Sequence, residues 1–462
     1  MSGVALTVEP APAAREERSP SAAPTVVAAG AGLVAVLVLA LVLGGGRPIA
    51  AVPGLTQAGP LVTWGQPVAT LAGRIAAVGT VGALLFAAVL LPGPGGRLPA
   101  ASRRALRTAW GSALAWAAST LVGALLTLSQ LVGAAPTASS LRTFVTDLPA
   151  GRSAVVVVAA ALVVALLARG CAGALRAGLL LAVAVPGLVV PAVLTGHSAT
   201  AADHALAVSN LSVHVVAATA WTGGLLALLL HGRSADDLAP AASRFSTLAL
   251  ACFLVSGLSG LLAAWLVLDG DPGTVLGSGY GELLLGKTTA LVVLGVLGHR
   301  HRRHTLPRLR AGEPGAFRRF AAVETAVLLA TVALAVALAA SPPPSAAAPQ
   351  VPTPAAAPGG QSAAPQPPAA LEDMSGHDHG DLSVTVLIDE TRFHVSAPVA
   401  PGSRVTVHNS TTTEVTITAD DGSFDVVVPG RSLLTFPAPA QPGAHPFTSR
   451  HSGAFADVLV VR

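Results

Sequence analysis

The chain has 462 residues, of which 52% are apolar and only 11% charged, with a formal net charge of +4. Soluble globular chains carry about 25% charged residues, so this composition excludes an ordinary soluble domain and points to the bilayer. The basic excess is almost wholly arginine and does not interleave with aromatics, which argues against a nucleic-acid partner. The two cysteines, Cys171 and Cys252, make no CxxC pair and no disulfide framework.

A 24-residue polar leader opens the chain. It is long for a secretory n-region, so residues 1–24 read as a cytoplasmic tail ahead of a retained signal-anchor helix. Nine apolar runs follow, near 25–45, 73–92, 109–133, 153–169, 177–195, 209–230, 245–268, 283–299 and 320–340. A span requires about 20 such residues, and the runs predict an all-α polytopic membrane bundle over 25–340. With the N-terminus in the cytoplasm, seventeen arginines fall on the cytoplasmic side, among them Arg103, Arg104, Arg107 and the run HRHRRHTLPRLR from His299. Arg47, Arg74, Arg142 and Arg152 fall opposite. That is the positive-inside bias. Nine spans then place everything after residue 340 outside the cytoplasmic membrane, in an extracellular or periplasmic position.

Residues 341–380 form a linker, rich in proline and alanine and closing on MSGHDHGD. Proline at this density favours an extended spacer. From 381 to 462 the character changes. LSVTVLI, SRVTVHN, EVTITAD, FDVVV, SLLTFPA and FADVLVV alternate or are β-branched, between DDG, PG and QPG turn signals. They predict a small antiparallel β sandwich.

Ligand-type residues concentrate on the side opposite the arginines. GHSATAADHALAVSNLSVHVVAATAWTGG, from Gly196 to Gly224, carries His197 and His204 beside the loop before the sixth span, and His214 about one turn inside it. Asn210, His214 and Trp221 stand four and seven apart, on one helical face. The Gly223–Gly224 pair lets another helix approach that face. Imidazole suits Cu(II), with its second nitrogen oriented by a neighbour such as Asp203 or Asn210. The plainer alternative is that His214 bonds a neighbouring helix and the loop histidines are solvated. Lys287, the sole lysine, and Glu324 lie inside spans, where ionisable groups often mark a transport path. Against that, Lys287 could snorkel, and Glu324 could pair with an arginine. His377 and His379 have a His-x-His spacing that lets two imidazoles meet one metal ion without a fold. HRHRRH at 299–304 reads as a topology anchor.

From 195 to 345 the chain resembles the copper resistance protein D (CopD) family. The residues that carry the likeness are GHS at 196–198, VHVVAATAWTGGLLAL from Val213, RFSTLAL at 244–250, Ser256–Gly257, YGELLLGKTTALVVLG at 280–295, Glu324 and the PPP exit. The resemblance implies movement of copper ion across the cytoplasmic membrane, generally inward, with an exported copper-binding protein as partner.

The C-terminal region resembles a cupredoxin through VTVHN at 405–409, DDGSFDVVVPG at 420–430 and the QPGAHPF…VLVV close. A blue-copper centre needs two histidines, a cysteine thiolate and usually an axial methionine. Here Glu414 stands near the first histidine position after Asn409, Ser449 at the cysteine, His451 one residue early for the second histidine and Phe455 at the methionine. The missing thiolate argues against a redox-active centre. It leaves a binding or structural module, or Cu(II) held weakly through other residues such as His445 and His451.

Two readings compete with copper transport or uptake. One is a b-type haem electron-transfer protein with two axial histidines; the other is a scaffold for an exported copper-binding protein. No nucleotide fingerprint, nucleophile elbow or paired carboxylate supports an enzyme.

Overall fold

The computed structural model describes residues 23–46, 59–93, 95, 97–132, 135–195, 201–232, 235–268, 278–341, 385–396, 398–450 and 452–462. Among them are ten helices of ten residues or more: α1 (Ala23–Leu43), α2 (Pro60–Leu85), α3 (Ala100–Val132), α4 (Ala138–Asp147), α5 (Pro149–Ala168), α6 (Ala174–Thr195), α7 (Ala201–His231), α8 (Ala235–Leu268), α9 (Gly279–Arg300) and α10 (Pro314–Ala339). All but α4 contain a stretch long and apolar enough to cross a membrane. The helices outrun the apolar runs of the sequence, chiefly because alanine and arginine are good helix formers and carry each helix past its hydrophobic stretch. α7 therefore begins at Ala201, and His204 lies on its first turn where a loop was expected. His214 is correspondingly about three turns inside the helix.

Prolines at the first helical position start α2, α5 and α10, where the missing N–H costs nothing. α9 does not stop at Arg300. It passes through a π-turn, His301–Thr305, into a short helix, Leu306–Arg310.

α2 and α7 form the spine of the bundle. At their crossing a Cβ on Gly82 would lie 2.1 Å from the Gly223 carbonyl oxygen, so the backbones touch and only glycine fits. α3, α5 and α6 pack to one side. α8, α9 and α10 gather on the other, where α9 contacts both α8 and α10, and α7 packs against α8 and α10.

α4 is absent from the apolar pattern. It is set by a capping box: Thr137 Oγ1 accepts from Ser140 N at 3.2 Å while Ser140 Oγ accepts from Thr137 N at 2.9 Å. Phe144 on its inner face and the following Leu148 cluster with Leu128, Leu131 and Val132 of α3.

Eight strands complete the fold: β1 (Val386–Ile388), β2 (Phe393–Val395), β3 (Arg404–Asn409), β4 (Val415–Ala419), β5 (Asp425–Val428), β6 (Ser432–Pro437), β7 (Gly443–Ser449) and β8 (Ser452–Val461). They make two four-stranded sheets, β2-β1-β3-β6 and β5-β4-β7-β8, whose inner faces enclose Val386, Ile388, Phe393, Val407, Ile417 and Phe447. The sandwich is not wholly antiparallel: β1 and β3 run parallel. The chain reverses twice, and β3 lies beside β1 instead of β2. The outer face of the first sheet rests on α3 and α4. There Arg404 Nη1 is 3.0 Å from Asp147 Oδ1, Thr435 donates to Asp147 Oδ2 at 3.1 Å, and Leu433 joins the α3–α4 apolar cluster.

Candidate functional site

The polar stripe of α7 faces α8. Asn210 Nδ2 donates to the Ser259 carbonyl at 2.9 Å, and His214 Nδ1 is 2.8 Å from Ser259 Oγ. That hydroxyl gives its own hydrogen to the Val255 carbonyl at 2.6 Å. The network thus assigns the ring proton to Nδ1 and leaves Nε2 as a lone pair. Lys287 of α9, half-buried, is the charged neighbour of this ring, and the buried Ser256 hydroxyl beside it has no hydrogen-bond partner. Two turns further along, Trp221 is 4% exposed and meets Phe253 of α8 edge-on, with ring centroids 5.9 Å apart. Asn210, His214 and Trp221 therefore share the face that their spacing predicted.

Near the arginine-bearing end of α7–α10 lies a second polar group. Glu324 of α10 is buried, and its Oε2 is 3.3 Å from His301 Nε2 on the π-turn after α9. The His301 ring is wedged between Phe317 and Phe320, at centroid distances of 5.2 and 5.7 Å. Trp221 is the carboxylate's other polar neighbour, with its buried indole N–H directed at it. Both groups border a cavity of about 270 Å³ walled by Phe245, Phe253, Leu294 and Phe317. A larger cleft of about 520 Å³ along α3 and α4 has apolar walls and no titratable group.

Glu324 pairs with neither Lys287 nor an arginine. Its partner, His301, belongs to the run that the sequence presented as a topology anchor. The signal was there: Leu294, Gly298, His301 and Thr305 follow helical spacing, and Leu294 and Thr305 are buried.

His197, His377, His379 and His451 lie outside the described residues, as does the side chain of His204. Among the described residues, no three His, Cys, Asp or Glu side chains converge to hold a metal. Cys171 and Cys252 are free and buried.

In the sandwich, the positions matched to blue-copper ligands have other work. Asn409 donates to the carbonyls of Thr413, Val428 and Pro429 at 2.9–3.1 Å and accepts from the Thr411 amide and hydroxyl. Glu414 is exposed, Ser449 lies 3.4 Å from the Thr416 hydroxyl, and Phe455 packs on Phe393. His445 offers no free nitrogen: Nδ1 meets Asp421 Oδ2 at 2.5 Å and Nε2 meets the Gln441 carbonyl at 3.1 Å. The Asp421 carboxylate raises the ring's pKa, chiefly through that hydrogen bond. Asp421 itself is held down to about 2, first by Ser423 and then by His445. His408 is the exception to this closed bonding. It is buried in β3 beside Leu433, with Nδ1 unpartnered, and burial pushes its pKa down to about 4 against a hydrogen bond to the Ser432 backbone.

Residues 239–338 match the family profile described as copper resistance protein D. Over 165 residues, 34% of this chain, the sequence is 30% identical to the copper transport protein CutJ of Bacillus subtilis (strain 168). The chain spans about a third of the length of that relative, 30% of it. No solved structure matches. The matched segment takes in Ser259, Lys287, His301 and Glu324, so both polar groups just described have members inside it.

Proposed function

We propose that this chain, which carries a copper resistance protein D domain at residues 239–338, moves copper ions across the cytoplasmic membrane through the helices α7–α10. The observation that carries the reading is the stripe on α7. In a bundle otherwise poor in polar groups, His214 is held by Ser259 with its Nε2 lone pair free. A neutral imidazole so oriented is a copper ligand that a bilayer tolerates. The named family supports copper over the haem reading.

The arginine bias supports a cytoplasmic N-terminus and an exported sandwich. His197, His204, His377 and His379 then collect copper on the outer side, from solution or from an exported copper-binding protein, and His214 takes it inward. Asn210 fixes α7 against α8 beside the ligand, and Lys287 sets the local charge. The membrane part offers no methionine beyond Met1, so the path runs over nitrogen and oxygen.

Cellular copper accumulation tests this. At equal protein level, His214→Ala should reduce accumulation to that of cells lacking the protein. Accumulation equal to wild type removes His214 from the path.

A further inference from the structure

His301 is oriented as a ligand by the same device as His214. Its Nδ1 is 2.5 Å from Thr305 Oγ1, and that hydroxyl gives its one hydrogen to the His301 carbonyl at 3.0 Å. Nδ1 therefore carries the ring proton, and Nε2 presents a lone pair. What it faces is a second electron-rich atom, Glu324 Oε2, at 3.3 Å. Two such atoms, buried and opposed, repel unless a proton or a metal ion lies between them.

The separation speaks to what that charge is. Nε2 closes no hydrogen bond, and 3.3 Å exceeds the usual N···O range of about 2.7–3.2 Å. An ion bonded at about 2.0–2.1 Å to an imidazole nitrogen and a carboxylate oxygen, at a tetrahedral angle, holds those atoms about 3.3–3.4 Å apart. The adjoining cavity of about 270 Å³ has room for several waters, each of which takes about 30 Å³ in the liquid. Trp221 directs a buried N–H at the carboxylate, an outer donor of the sort that orients ligating carboxylates. Arg302 borders the same cavity, and its guanidinium is engaged by the Ser246 carbonyl.

We propose that His301 Nε2 and the Glu324 carboxylate are the two protein ligands of a divalent-cation site that completes its coordination with water from the adjoining cavity. The site rests on the copper reading above and deepens it. It is a second station, on the far side of Trp221 from His214, and its cargo is Cu(II), which suits imidazole and carboxylate.

The test is the copper content of the full chain, purified in detergent, loaded with Cu(II) and freed of loosely held ion by exchange. Wild type should retain one copper more per chain than Glu324→Gln or His301→Gln, and the double variant should lose no more than either single. Thr305→Val keeps both ligands but releases the ring, and should weaken that copper's binding by about 10- to 100-fold. Equal contents in wild type and folded single variants, or an unchanged affinity in Thr305→Val, overturn the site. Retention needs no passage across a bilayer. Equal contents with normal dependence of accumulation on His214 overturn this station alone, whereas an intact station with accumulation indifferent to His214→Ala removes His214 from the path and leaves the station standing.

Discussion

Apart from His408, whose Nδ1 is buried without a partner, the sandwich and the bundle use histidine in opposite ways. In the sandwich, His445 has both nitrogens bound to oxygen, His394 Nε2 is 2.7 Å from Asp389, and Asn409 closes five hydrogen bonds from a fully buried position. Such groups hold a fold together. In the bundle, His214 and His301 are each held to a hydroxyl through Nδ1, and His301 Nε2 closes no hydrogen bond. Open polar atoms destabilise a buried site and persist where they have a task. The difference divides the molecule into a part whose polar groups secure the fold and a part that, on the proposed reading, handles an ion.

Three changes in the sandwich probe this division, each followed by amide hydrogen exchange of the full chain, which reports local stability. The largest effect is expected from Asn409→Ala. It strips donors from three carbonyls and should weaken the sandwich by about 3 kcal/mol or more, with the exchange of α7–α10 unchanged. Equal loosening of both regions would erase the division.

Next is the acid response of His408. Its ring titrates near 6.5 in the unfolded chain and about 4 in the fold. As pH falls through this interval the unfolded chain takes up the proton first, so stability is lost; below about 4 both states are protonated and the loss levels off. The total is on the order of 3 kcal/mol. His408→Phe should flatten that limb, and an unaltered acid profile would contradict it.

The smallest effect belongs to the His445–Asp421 pair. The raised histidine contributes below its ordinary value of 6.5 and loses this as pH rises through the folded value. The lowered aspartate contributes above its ordinary 3.8 and loses this as pH falls toward about 2. The pair is fully effective between those ordinary values. Because Asp421 is exposed, solvent screens it. Asp421→Asn should remove both slopes with little change in β7 exchange at neutral pH. A large loss there would mean that the pair carries the strand.

Much of this was legible in the sequence. Nine apolar runs gave the spans, because length and lack of charge are what a bilayer selects, and six β-branched segments fell in strands. The face shared by Asn210, His214 and Trp221 followed from spacing alone. The misses have physical causes. α4 owes its start to a local Thr137–Ser140 exchange and its packing to Phe144, and neither forms a long apolar run. β7 holds Gly443 and Pro446 and reads as a turn; its ladder with β4 covers only Phe447 and Thr448, so the missing N–H of Pro446 falls outside it. His301 was hidden by composition. Its neighbours are arginines, and only the helical phase separates the one inward ring from the outward charges.

The Asp147 clasp has a positional consequence. The sandwich is fastened to the bundle at α3 and α4, whereas the polar stripe of α7 faces α8. On the transport reading, that clasp sets the sandwich beside the α7–α8 path and not across it.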